Sequence, residues 1–144
     1  MINKHEVMQN YLSDAIKEFL HFNSVIETEN HASLNPIFSE YDRKIYTNGD
    51  RVRSYDFGIT IIKPHDQGTN TINTDSIFDV EGFMKWVALQ NKRNNLPNFG
   101  KDCTVMQIEN LQDMPNLAGT NEDQTLCKYM FQCRVIYLQE RGEY

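Results

Sequence analysis

The dipeptide Asn48-Gly49 constrains this chain more than any other pair of residues in it. It stands inside "KIYTNGDRVR", between two segments of strand-like composition, and Asn-Gly supplies the positive φ angles that a two-residue type I′ hairpin requires. Beyond the turn the side chains alternate. Tyr55, Phe57, Ile59 and Ile61 point one way and Ser54, Asp56, Gly58 and Thr60 the other, the period of a strand with one buried face, and Pro64 closes the run. The longest predicted strand, near the carboxyl end, obeys the same period. There Cys127, Tyr129, Phe131, Cys133, Val135 and Tyr137 share one face, and Lys128, Met130, Gln132, Arg134 and Ile136 share the other.

Two helices are predicted to cover such a sheet. Met8, Leu12, Ala15, Phe19 and Phe22 recur at helical spacing, widened by Ile16 and Leu20, with Asn3 as N-cap and Glu6 completing a capping box, so the first helix is expected to run to His21–Asn23. Asp75 or Ser76 caps the second, whose apolar face is Val80, Phe83, Met84 and Val87 with Trp86 at its border. It stops before Leu96, because Pro97 disfavours helical geometry at the residue before it. Between helix one and the hairpin, Pro36 reduces "VIETENHASLNPIFSEYDRKIY" to an edge strand or a wandering connection. "HDQGTNTINTDS" reads as a loop, "CTVMQIENL" as a strand and "DMPNLAGTNEDQT" as a long loop.

The order helix, weak strand, hairpin, helix, strand, strand implies an α+β domain, a two-layer sandwich in which an antiparallel sheet of about four strands carries both helices on one face. The opposite face is expected to be more polar and to hold Arg53, Asp56, Gln132 and Arg134. With 144 residues, one domain spanning 1–144 suffices, and no internal repeat divides it.

Composition excludes several functions. A formal charge of −6 argues against direct nucleic-acid binding, which needs a clustered excess of Lys and Arg. Charged residues interrupt the amino-terminal stretch where a signal peptide would be apolar, and no segment approaches a membrane span, so no membrane partner and a cytoplasmic site of synthesis are expected. Three cysteines make no disulfide framework. Cys127 and Cys133 point the same way but lie about 20 Å apart along an extended chain, too far to hold one metal ion together. The histidines stand apart without an H-E-x-x-H spacing, and the seven glycines form no phosphate-binding loop. No catalytic, cofactor or metal residue is nominated. Alternation also separates Tyr129 and Phe131 from Lys128 and Arg134, which removes a base-stacking platform.

Two stretches, "FMKWVALQNKRNNLPNFG" and "CKYMFQCRVIYLQE", joined through "CTVMQIENLQDMPNLAG", resemble the phage and prophage minor capsid or tail-completion proteins, which are similar to the tail terminators of long-tailed phages. The resemblance covers residues 50–140 and rests on Trp86, Gln90, Asn91, Leu96, Pro97, Gln107, Ile108, Glu109, Tyr129, Gln132, Cys133, Arg134 and Tyr137. These are scaffold positions, and the first 45 residues fit less well. The resemblance implies a non-enzymatic virion protein, assembled in the bacterial host cytoplasm, that forms a homo-oligomeric and commonly hexameric ring. Such a ring caps the tail tube protein and docks the head-completion or connector protein.

A closed head-to-tail ring needs two different patches on each subunit. The hairpin is the best single candidate: Asn48 and Gly49 hold Arg51 and Arg53 rigidly, and those guanidinium groups suit carboxylates such as Glu122 and Asp123 of a neighbour. Two other classes compete. One is a small oligomeric adaptor or ligand-binding domain, and the other a small enzyme with a site assembled from dispersed residues such as His65, Asp66 and Cys103.

Overall fold

Two strands of fourteen residues, β4 (Arg51–Pro64) and β7 (Leu126–Gln139), form the backbone of the molecule. They pair antiparallel from end to end, Arg51 opposite Gln139 and Pro64 opposite Leu126. The structure, a computed structural model, describes residues 2–16, 19–26, 28–37, 42–66 and 71–141. Each outer edge of the central pair is shared by two shorter strands. Along β4 lie β2 (Ala32–Ile37) and β3 (Asp42–Ile45), and along β7 lie β5 (Cys103–Asn110) and β6 (Asn116–Thr120), all antiparallel to it. A three-residue strand, β1 (Leu20–Phe22), adds to β2 in parallel, so the sheet is mixed and has seven strands among the described residues.

The α+β class is therefore as expected, whereas the four-strand antiparallel sheet is corrected to seven strands. Two of the added strands come from segments read otherwise. Leu20 and Phe22 satisfy a helical stripe, but they also alternate about His21, and the chain takes the second option. Helix α1 is only Lys4–Leu12; one 3₁₀ turn, Ser13–Ala15, follows it, and Ile16 is already extended (φ −130°, ψ 138°). Phe19, assigned to the apolar stripe, is 71% exposed. Its N-cap is Asn3 as anticipated, with Oδ1 accepting from the Glu6 amide. The supposed long loop after Asp113 contains β6, whose bulge between Leu117 and Gly119 breaks the period that would have revealed it.

Helix α2 (Thr71–Arg93) starts before Asp75 and Ser76, so neither caps it; Ser76 instead donates to the carbonyl of Pro64 from inside the helix. Its carboxyl end is fixed by a Schellman arrangement. Asn94 takes the left-handed conformation (φ 52°), its amide donates to the Asn91 carbonyl, and the Asn95 amide donates to the Gln90 carbonyl.

Both helices pack on one sheet face. Met8 and Leu12 of α1 and Val80, Phe83, Met84 and Val87 of α2 join Tyr55, Phe57, Ile59, Ile61, Tyr129, Phe131, Cys133, Val135 and Tyr137 in one core. Phe131, fully buried, meets Phe83 at 5.3 Å between ring centres, and Phe99, brought back by the turn after α2, stands edge-on to Tyr137 at 5.2 Å. Trp86 is half-buried at the border, edge-on to Tyr11. No helix among the described residues is long and apolar enough to cross a membrane.

Candidate functional site: the two ends of the central ribbon

Chain reversal at Asn48-Gly49 is real, but the turn type differs from expectation. Only Gly49 has a positive φ (+97°); Asn48 does not, which excludes type I′. Tyr46 donates its amide to the Asp50 carbonyl at 2.8 Å and accepts from Gly49 at 3.0 Å, the pattern of a longer loop closed by a left-handed glycine. Asn48 Oδ1 accepts from the Asp50 amide, which gives the asparagine its use at a position of ordinary φ. The tip leans on the end of β7: the Arg141 amide donates to Asp50, and a Cβ on Gly49 would lie 2.8 Å from Cδ of Arg141.

Arg51 and Arg53 both reach Asp42 of β3. Arg51 Nη1 donates to one carboxylate oxygen at 2.6 Å and Arg53 Nε to the other at 2.8 Å, while Arg53 Nη1 reaches Gln139 at 3.1 Å. Hydrogen bonding from Arg53, helped by the charges of both guanidinium groups, holds the Asp42 carboxyl below the usual carboxylate range. The pairing also corrects the face assigned to Arg53. It stands opposite Tyr137, on the helix side of the sheet, as its odd position beside Tyr55 required. Asp56, Gln132 and Arg134 do lie on the helix-free face. There Arg134 grips Asp56 through two bonds, 2.8 and 3.1 Å, and also stands opposite Glu109.

Glu122 and Asp123 lie exposed in the β6–β7 connection, where Asn121 Oδ1 accepts from the amides of Thr125 and Leu126. They stand at the Pro64 end of the ribbon and the hairpin at the other, separated by the fourteen residues of β4, about 45 Å at roughly 3.3 Å per residue. Within one chain these groups do not meet. The same geometry disposes of the dispersed trio: His65 and Asp66 follow Pro64, whereas Cys103 pairs with Gln139 at the far end. Two of the three thiols are buried. Burial pushes the Cys127 and Cys133 thiols up, and it pushes the Tyr129 hydroxyl up to about 12. Among the described residues no group of three His, Cys, Asp or Glu side chains is placed to hold a metal ion.

Some of the residues that carry the resemblance meet at the end of α2. Asn91 of α2 brackets Ile108 of β5, accepting from its amide at 2.9 Å and donating to its carbonyl, as a neighbouring strand would. Gln90, 1% exposed, accepts from Asn95 and donates to the Trp86 carbonyl. Asn110 donates to the carbonyl of Met84 at 2.9 Å. The end of α2, its turn, β5 and β7 are thereby fastened together. Sequence pattern gave no sign that Asn91 and Asn110 do this, since a polar residue on a helix or a strand end looks solvent-facing until its partner is known.

A second polar system runs over the helix-free face near β1. His21 and His31 stack at 4.1 Å between ring centres, His31 Nε2 lies 2.7 Å from Ser24 Oγ, and a chain continues through Ser33, Asn35 and Thr60. His31 is buried, and desolvation, with the neighbouring His21 charge, lowers its pKa. No protein-family model matches the chain, and no curated protein matches it.

Proposed function

We propose that this chain is a structural protein of a phage or prophage particle, a tail terminator or head-tail joining minor capsid protein. Copies form a homo-oligomeric ring, hexameric in the favoured form, that caps the tail tube protein and docks the head-completion protein. It is made in the bacterial cytoplasm and ends in the virion.

The observation that carries this reading is that resembling residues of α2 and β5 are bonded to each other. Asn91 and Gln90 of α2 and Ile108 of β5 meet where the end of α2 is fastened to the sheet, while Glu109 and Arg134 stand opposite each other on the helix-free face. The Asn91–Ile108 bonds give these two resembling positions a shared structural role. The distribution of polar groups supports the same reading: the hairpin and the acidic loop stand at opposite ends, as the two unlike halves of a head-to-tail contact must.

Deleting the gene from its phage or prophage and imaging the induced lysate by electron microscopy tests the function. Filled heads beside unjoined tails of irregular length, cured by the intact chain in trans, are expected. Normal infectious particles without the protein would overturn the reading.

A further inference from the structure

The two ends of the sheet differ in a way that selects a contact. Strand β6, "NLAGT", has no charge, is exposed throughout, and pairs only with β7; no described group covers its outer edge. Natural sheets blunt such edges with charge, bulges or a covering element, because free amides and carbonyls beside apolar side chains recruit another strand. The neighbouring edge of β5 is covered in this way by Asn91 of α2. The edge of β6 has only its bulge, and it has exposed Leu117 (55%) with exposed Met114 (58%) nearby. Acidic groups flank it: Asp113 before β6, Glu122 and Asp123 after.

Strand β3 is its counterpart. Among the described residues it pairs only with β4, at the opposite end of the ribbon and on the opposite edge of the sheet. Its exposed side chains are Arg43, Lys44 and Ile45, the last 59% exposed, and Tyr46 continues the run with the Lys44 ammonium 4.8 Å from its ring centre. Asp42 is already bound by Arg51 and Arg53, so the charge that faces outward from β3 is basic. By register, Ile45 is opposite Arg51 and Leu117 opposite Tyr129, which places both on the helix side of the sheet.

We propose that β3 of one copy adds to the outer edge of β6 of the next, making one sheet continuous across the subunit boundary. Ile45 meets Leu117 on the helix side, and Arg43 and Lys44 meet the carboxylates of Asp113, Glu122 and Asp123. This deepens the ring reading and rests on it. It shifts the basic partner from Arg51 and Arg53, whose guanidinium groups hold Asp42, to the two cations on the outer strand of the same hairpin. Because β3 and β6 occupy opposite edges, the contact is head-to-tail and repeats in one direction, and it makes a ring when the rotation from copy to copy closes.

A charge exchange tests it on the full chain. One variant carries Arg43→Glu and Lys44→Glu; a second carries Asp113→Lys, Glu122→Lys and Asp123→Lys. Sedimentation velocity over a concentration series should show the native chain as an oligomer. Each variant alone should have its association weakened tenfold or more, since like charges then face each other across every boundary. Mixed in equal amounts, the two should recover the native oligomer as alternating copies, a result that misfolded chains cannot give. Native-like assembly of either variant alone, or two variants that stay dissociated when mixed while their circular dichroism remains native, would overturn the β3–β6 contact and leave the ring reading standing. A native chain that stays monomeric at every concentration would overturn it as well, and the gene deletion then decides the virion role by itself.

Discussion

At the scale of single residues the chain is governed by what each side chain loses on leaving water. Phe131 projects from β7, fully buried against Phe83 of α2, so Phe131→Ala removes the ring and leaves a void. A loss of about 3 kcal/mol or more is expected, read as a lower urea midpoint at unchanged slope. An unchanged midpoint would mean that the helix-covered face has been misassigned. His31 makes stability depend on pH. Its folded-state pKa lies below the ordinary 6.5 because burial, and then His21, disfavour the charged ring. The unfolded chain therefore binds the proton more readily, and stability present above the unfolded pKa declines as pH falls through the folded one. His31→Gln should flatten the slope of urea midpoint against pH across that window, and an unaltered slope would assign the dependence elsewhere.

At the scale of elements, legibility followed the length of the pattern. The β4 and β7 alternations and the apolar face of α2 were readable because each repeats over several periods, and the structure places them together in the core. The amino-terminal stripe is ambiguous because Leu20 and Phe22 fit both a helical and a strand period, and no local signal says that the helix stops at Leu12. β6 was invisible for a different reason, since "NLAGT" lacks both the β-branched side chains and the regular alternation that mark a strand. Nor could composition separate type I′ from the longer turn at Asn48-Gly49, because both use a glycine with positive φ. The stop of α2 illustrates how local chemistry is specified more finely than pattern. Pro97 ends the helix in principle, but the turn is made by left-handed Asn94 with two reversed amides. Asn94→Ala should cost about 1 kcal/mol, because an alanine gains nothing from its side chain in that conformation, while Asn94→Gly should keep or raise stability. Equal urea midpoints for the two variants would count against the cap.

At the scale of the whole molecule, the ribbon of β4 and β7 is the shared partner of every other strand except β1, and this predicts a graded pattern of hydrogen exchange. Amides of β4 and β7 that bond each other are released only when the molecule unfolds globally, so they should be the slowest set. The Ile108 amide, bonded to Asn91 across the β5 edge, should approach them, because breaking that bond requires α2 to leave the sheet. Short edge strands fray locally, and in dilute protein the amides of 43–45 and 117–120 should exchange within the fastest structured class. Raising the concentration then separates two accounts of the same surface. If copies join through β3 and β6, protection should rise at these two segments together and nowhere on β1, since a single boundary contains one of each. Protection that rises on β1, or on only one of the two segments, would place the boundary elsewhere on the sheet. The charge-reversed chain carrying Arg43→Glu and Lys44→Glu supplies the control: its central ribbon should stay as protected as in the native chain at every concentration, while 117–120 remains fast.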